Sequence, residues 1–306
     1  MLHKYSRFVV ACTVLLILAG SFVTSTDSGL SVPDWPTTYG QNMFAFPYSK
    51  MVGGIFYEHG HRLIASTVGF LTIGLAAWLW AVDPRRWMRW FGVAALGAIV
   101  AQGVLGGLTV LFFLPPAVST AHAGLAEIFF CITVAIAVFT SPGWMTNAGV
   151  DDPALRTITT TTTALIYTQI LLGATMRHTG AGLAIPDFPW MFGHVIPDHW
   201  SPPIAIHFAH RVGALVVSIA IVATSVYIWR RHGDRMELTR PATLILFLVG
   251  VQVMLGAFTV LSKRDVWINS LHVVGGALVL TTSLVITLRS YRAKFTAPQR
   301  RLGVAA

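Results

Sequence analysis

Long apolar stretches separated by short polar ones run the length of this chain. Segments near 8–25, 60–82, 90–113, 119–140, 157–176, 207–229, 240–261 and 267–288 each reach the roughly 20 residues that a membrane-spanning helix needs. Glu127 is the only Asp, Glu, Lys or Arg in the central part of any of them. Backbone polar groups in hydrocarbon must be satisfied within the segment, so the pattern predicts eight α-helices. The first segment, following Lys4 and Arg7, has the outline of a cleavable signal peptide. Its counterpart in the second half marks it instead as a helix that stays.

The two halves match in order. Ser28-Gly-Leu-Ser-Val-Pro-Asp-Trp-Pro36 pairs with Ala181-Gly-Leu-Ala-Ile-Pro-Asp-Phe-Pro189 at an offset of 153. Glu58-His-Gly-His61-Arg62 pairs with His207-Phe-Ala-His210-Arg211 at 149, and Gln102 to Leu111 with Gln252 to Leu261 at 150. His122 pairs with His272, again at 150. Four helices per half is an even number, so both halves enter the membrane in the same sense, as a parallel repeat. The expected architecture is all-α and polytopic, with eight transmembrane helices as two pseudo-symmetric four-helix bundles. The N-terminal bundle covers 1–145 and the C-terminal bundle 146–306, joined by a linker near 141–156.

Composition agrees. Of 306 residues, 55% are hydrophobic and 11% charged, against about a quarter charged in a soluble domain. The formal charge of +9 does not indicate nucleic-acid binding, because the basic residues sit at the ends of apolar segments. Of the 21 Lys and Arg, only Lys50, Arg62, Arg177, Arg211, Lys263 and Arg264 fall on the side of the two long loops, 26–58 and 177–206. The others, from Lys4 and Arg7 to Arg300 and Arg301, fall on the opposite side. The positive-inside rule then puts both termini in the cytoplasm and the long loops outside. Cys12 and Cys131 lie inside apolar segments and read as packing residues.

Eleven histidines need sorting. His3 and His232 read as solvated at the cytoplasmic surface, and His178, His194 and His199 as loop residues. His61, His122, His210 and His272 stand at repeat-equivalent positions in the first turns of even-numbered helices, at similar depth near the outer side. Two imidazoles on facing helices suit the axial positions of a haem iron. The expected pairs are His61 with His122 and His210 with His272. Arg62 and Arg211, each following a histidine, suit a haem carboxylate or a snorkelling role. Asp34 and Asp187, in Pro-Asp-aromatic-Pro turns, are expected to bond loop backbone. The halves differ at Glu58, one turn before His61, where the second half has His207. An acid beside one haem site only is a candidate for proton delivery, with Glu127 ranked second.

These residues resemble the haem A synthases, the bacterial and mitochondrial enzymes that convert haem O to haem A. The resemblance spans nearly the whole chain and rests on Glu58-x-x-His61-Arg62, His122, His207-x-x-His210-Arg211, His272 and the two outer-loop segments. It implies a resident haem b on His210 and His272 with Arg211, and haem O as substrate on His61 and His122 with Arg62. It assigns the chemistry to Glu58. The implied reaction oxidises the C8 methyl of haem O to a formyl group by successive hydroxylation and loss of water, for haem-copper oxidase biogenesis. Implied partners are dioxygen or water, an electron donor and a haem O synthase, with homo-oligomerisation left open. Unlike some relatives, this chain has no cysteine in 26–58 or 177–206. The alternative is a dihaem cytochrome passing electrons between quinol and an outer partner.

Overall fold

The computed structural model describes residues 1–296, so Arg300 and Arg301 lie outside the described residues. Eight long helices carry the chain: α1 (Leu2–Ser25), α2 (Gly54–Val82), α3 (Arg86–Leu111), α4 (Pro116–Phe139), α5 (Pro153–His178), α6 (Pro202–Arg231), α7 (Met236–Leu261) and α8 (Val266–Ser290). Short helices at Pro142–Thr146 and Arg292–Thr296 and three single 3-10 turns complete the described secondary structure.

All eight begin before the apolar segment does, because polar and aromatic residues fill the first turns and caps set the start. Asp152 accepts from the Leu155 amide and Ser201 from the Ile204 amide, each ahead of a proline at the first helical position. Asp265 accepts from Trp267 and Ile268 at the start of α8. The long loops therefore shrink to 26–53 and 179–201, and Glu58 and His207 lie inside helices rather than at loop ends. His178 is likewise the last residue of α5, not a loop residue.

Seven of these helices are long and apolar enough to cross a membrane, and α5 falls short on composition. Its threonine run explains the shortfall. Thr159 and Thr163 return hydroxyls to carbonyls one turn back, and they reach Ser283, Thr287 and Ser290 on α8, while Thr162 meets Thr224 on α6. The hydroxyls of Thr159, Thr162 and Thr163 are thus satisfied inside the protein. Many apolar side chains on the other helices point outward, among them Phe70, Leu215 and Phe247, as on a lipid-facing surface.

Helices α1 to α4 pack in a closed ring, each on its chain neighbour and α1 on α4; α5 to α8 do the same. The rings meet through α1 on α8, α4 on α5 and α4 on α8. Phe130, Val134 and Ala277 form the apolar centre of that seam. At the end carrying the chain terminus, Pro241 cannot donate to the Glu237 carbonyl one turn back, and Arg289 donates to it instead. His232 is not simply solvated there, since it pairs with Asp152, which Tyr227 also contacts. Burial opposes the charge on Asp152, but the Leu155 amide, His232 and Tyr227 outweigh it and hold its carboxyl at about 2. His3, also expected to be solvated, meets the Ala137 carbonyl at 3.0 Å.

Candidate functional site

The four repeat-equivalent histidines lie six to eight residues into their helices, counting from Gly54, Pro116, Pro202 and Val266. At 1.5 Å per residue that is about 9–12 Å from each helix start. His61 and His122 come within electrostatic reach of each other, and so do His210 and His272. The structure therefore brings together the two pairs that the sequence predicts.

Each ring is seated on a glycine of the preceding helix. A Cβ on Gly20 would stand 2.9 Å from His61 Cε1, one on Gly106 3.0 Å from His122, one on Gly173 2.7 Å from His210, and one on Gly256 3.0 Å from His272. Real Cβ atoms essentially never approach within 3.0 Å, so at Gly20 and Gly173 a side chain would force the imidazole off the helix backbone, while at Gly106 and Gly256 the ring would have to give by a few tenths of an ångström. Three of these glycines follow a glutamine by four residues. Gln102, Gln169 and Gln252 donate Nε2 to the backbone carbonyl of His122, His210 and His272 at 2.9, 2.7 and 2.8 Å. At the fourth position stands Leu16, so His61 has no such brace.

The Nδ1 atoms of His61, His122 and His272 are buried without a hydrogen-bond partner among the described residues. An unpaired buried polar atom costs about 1–3 kcal/mol, which core packing would not favour. Imidazole pairs within reach of each other, each ring seated on a glycine and three of the four with an unpartnered Nδ1, would suit a haem held by two histidines, while His210 Nδ1 meets Gln169 Nε2 at 3.0 Å. No third ligating side chain is needed for that.

In each half the long loop is locked to the even-numbered helix that carries the first histidine of the pair. Arg62 donates to the carbonyls of Val32, Asp34 and Thr37, and Arg211 to those of Ile185, Asp187 and Trp190, three equivalent positions. Neither guanidinium presents a free fork to a haem carboxylate, so their first contribution is to hold the loop. Asp34 accepts the amides of Tyr39 and Gly40, and Asp187 those of Phe192 and Gly193. Burial opposes the charge on Asp34, but Gly40, Thr37 and Tyr39 outweigh it and hold the carboxyl below its usual range. Asp187 is lowered in the same way by Gly193 and Phe192. Tyr39 with Gly40, and Phe192 with Gly193, take positive φ at matching places.

The halves part at Glu58. Its Oε2 accepts the Val32 amide at 2.8 Å and its Oε1 accepts Arg62 Nη2 at 2.7 Å, in a buried ion pair. In the second half His207 Nδ1 accepts the Ile185 amide at 3.2 Å, and Arg211 has no acid there. The same loop amide is thus capped by a carboxylate in one half and an imidazole in the other. Glu127, on α4 at the seam, has Oε2 buried without a partner and Cys131 and Tyr167 within electrostatic reach.

Sequence reasoning missed His59 and the glycine seats. His59 is buried, contacts Thr38 Oγ1 at 3.0 Å and packs on Phe46, so it fastens the first loop only; Phe208 stands at its counterpart. The glycine signal was present as Gln-x-x-x-Gly at 102–106, 169–173 and 252–256. His194 and His199 do lie in the second loop, where His199 pairs with Asp198 and packs on Phe192.

Comparison with known proteins finds relatives along nearly the whole chain. The chain is 30% identical over 282 residues to a protein named Heme A synthase from Symbiobacterium thermophilum, covering 89% of each chain. It is 27% identical to one of that name from Halalkalibacterium halodurans, over 90% of this chain and 92% of the relative. A third, from Novosphingobium aromaticivorans, is 29% identical over 90% and 91%. The profile of the COX15-CtaA family, described as cytochrome oxidase assembly protein, matches residues 3–284. With histidines, loops and seam covered from end to end, the chain belongs to the COX15-CtaA family.

Proposed function

We propose that this protein is a haem A synthase, a membrane oxidoreductase that converts haem O to haem A for haem-copper oxidase biogenesis. The observation that carries the reading is the two cradled histidine pairs with an acid beside only one of them. The relatives' shared name supports the same reading over a dihaem cytochrome. Haem O is the substrate on His61 and His122, and haem b is the resident cofactor on His210 and His272. The architecture proposed is eight membrane-spanning helices in two pseudo-symmetric bundles, 1–145 and 146–306, with α5 crossing as a Thr-rich helix shielded by its neighbours. Support comes from the matching rings and from a seam in which α1 on α8 mirrors α5 on α4. The orientation has the termini in the cytoplasm and both haem sites near the outer face of the cell membrane, supported by the charge bias.

A haem on two imidazoles supplies electron transfer, and oxidation of the substrate methyl needs electrons and protons removed nearby. Within the chain, Glu58 stands one turn from His61 on the same helix face. Its carboxylate keeps lone pairs beyond those taken by Val32 and Arg62, so it can receive a proton leaving the site. Arg62 stabilises the charged form of Glu58 and holds residues 32–37 over the site, which limits water entry. Dioxygen as oxidant with an electron donor, or water as oxygen source with an electron acceptor, together with a haem O synthase, completes the system. Co-expression with a haem O source, followed by pigment extraction and mass analysis, should give haem A. Recovery of haem O alone, with folded protein present, overturns the enzyme reading.

A further inference from the structure

Arg177 has no duplicate. Gly20 and Gly173 occupy equivalent seats, and their offset of 153 puts Thr24 opposite Arg177. Arg177 lies in the last turn of α5, one residue before its end, at the loop end of the seam between the halves. Its Nη2 donates to Ser21 O at 3.0 Å and Ser25 Oγ at 2.9 Å on α1. Ser25 is fixed in turn by Asn269 and Ser270 of α8. One side of the guanidinium is therefore tied across the seam. Its Nε is buried with no partner, and among the described residues Arg177 forms no ion pair with an acid. The nearest acid in electrostatic terms, Asp27, is exposed and contacts Arg264 instead.

A cation in the last turn of a helix is favoured by the helix dipole. That effect neither requires burial nor leaves Nε unsatisfied, whereas a partly buried guanidinium with a buried, unpartnered Nε is costly until an anion arrives. Arg177 lies within electrostatic reach of His272, and its neighbour His178 of His122. A carboxylate carried by a group seated between His210 and His272 would meet the free side of Arg177. Arg62 and Arg211 are already occupied by loop carbonyls. We infer that Arg177 is the carboxylate anchor of the C-terminal haem site, holding a haem propionate across the seam from α1. This rests on the reading of His210 and His272 as a haem pair.

The test titrates haem b, and haem b with both carboxylates esterified, into haem-free full-length His122→Ala protein, in which only the C-terminal pair is complete. The expected result is at least tenfold tighter binding of the diacid. Adding Arg177→Gln should bring that preference to within about twofold of unity, and Arg177→Lys should leave it intermediate. Arg264→Gln, at an exposed cation near the same seam, should leave the full preference. Equal binding of diacid and diester by the parent protein overturns the inference, as does a preference that survives Arg177→Gln. If Arg177→Gln fails to fold, an undiminished preference in Arg177→Lys overturns it. If neither haem binds, the histidine-pair reading fails first and the anchor with it.

Discussion

The two long-loop locks use one design with one exchanged part. In both halves an arginine following the histidine gathers three loop carbonyls, an aspartate gathers two loop amides, and the residue three before the histidine accepts a third amide. That last residue is Glu58 beside His61 and His207 beside His210. An imidazole performs the structural task, so a carboxylate is not needed merely to hold the loop. What Glu58 adds is a negative charge and a proton-accepting group next to one site. The comparison separates its anchoring from the chemistry proposed for it, which the first half viewed alone could not do.

The largest effect expected from breaking the comparison is at the histidines. His61→Ala or His122→Ala should abolish haem A output in co-expression while haem b remains in the purified protein; persistent haem A would remove the N-terminal pair from the reaction. Next come the glycine seats. Gly173→Ala puts a Cβ 2.7 Å from the His210 ring and should loosen the resident haem by about tenfold or more, read as Soret loss on dilution. Gly60→Ala, with open space around it, should change nothing, and matched behaviour of the two variants would refute the cradle.

Glu58→His sharpens the comparison by copying the second half. It should fold, keep the loop lock and retain haem, yet lower haem A output at least tenfold. Glu58→Gln should also keep its pigment with reduced output. Because Arg62 retains three carbonyls, its stability loss should fall at or below the low end of the about 3–5 kcal/mol for breaking a buried pair. Normal output from either variant would reduce Glu58 to an anchor. The smallest effect is expected from Gln252→Leu, which copies Leu16 and removes one brace; melting of the holoprotein should shift by the equivalent of about 1 kcal/mol.

Much of this was legible in the sequence because it rests on periodicity and repetition. Apolar segments located the helices, and the 149–153 offsets located the histidine pairs. Helix starts were not legible from hydropathy, since the first turns of α2 and α6 carry Glu58, His59 and His207, polar residues that an apolar window discards. The roles of Arg62 and Arg211 were misread for a related reason. An arginine at a membrane boundary is compatible with lipid, haem or loop, and only folded geometry shows its bonds going to carbonyls more than 20 residues away. The seats under the histidines were hidden because glycine signals by what it lacks. Arg177 was hidden because a repeat search rewards matches, and Arg177 has none.

The central claim is that one pair grips a haem being changed and the other a haem that stays. Its most direct test is the haem content of protein purified from cells that make no haem O, compared between His122→Ala and His272→Ala. The account predicts one haem b per chain in the wild type and in His122→Ala, and none in His272→Ala. Retention by His272→Ala with loss from His122→Ala would reverse the assignment and contradict the account.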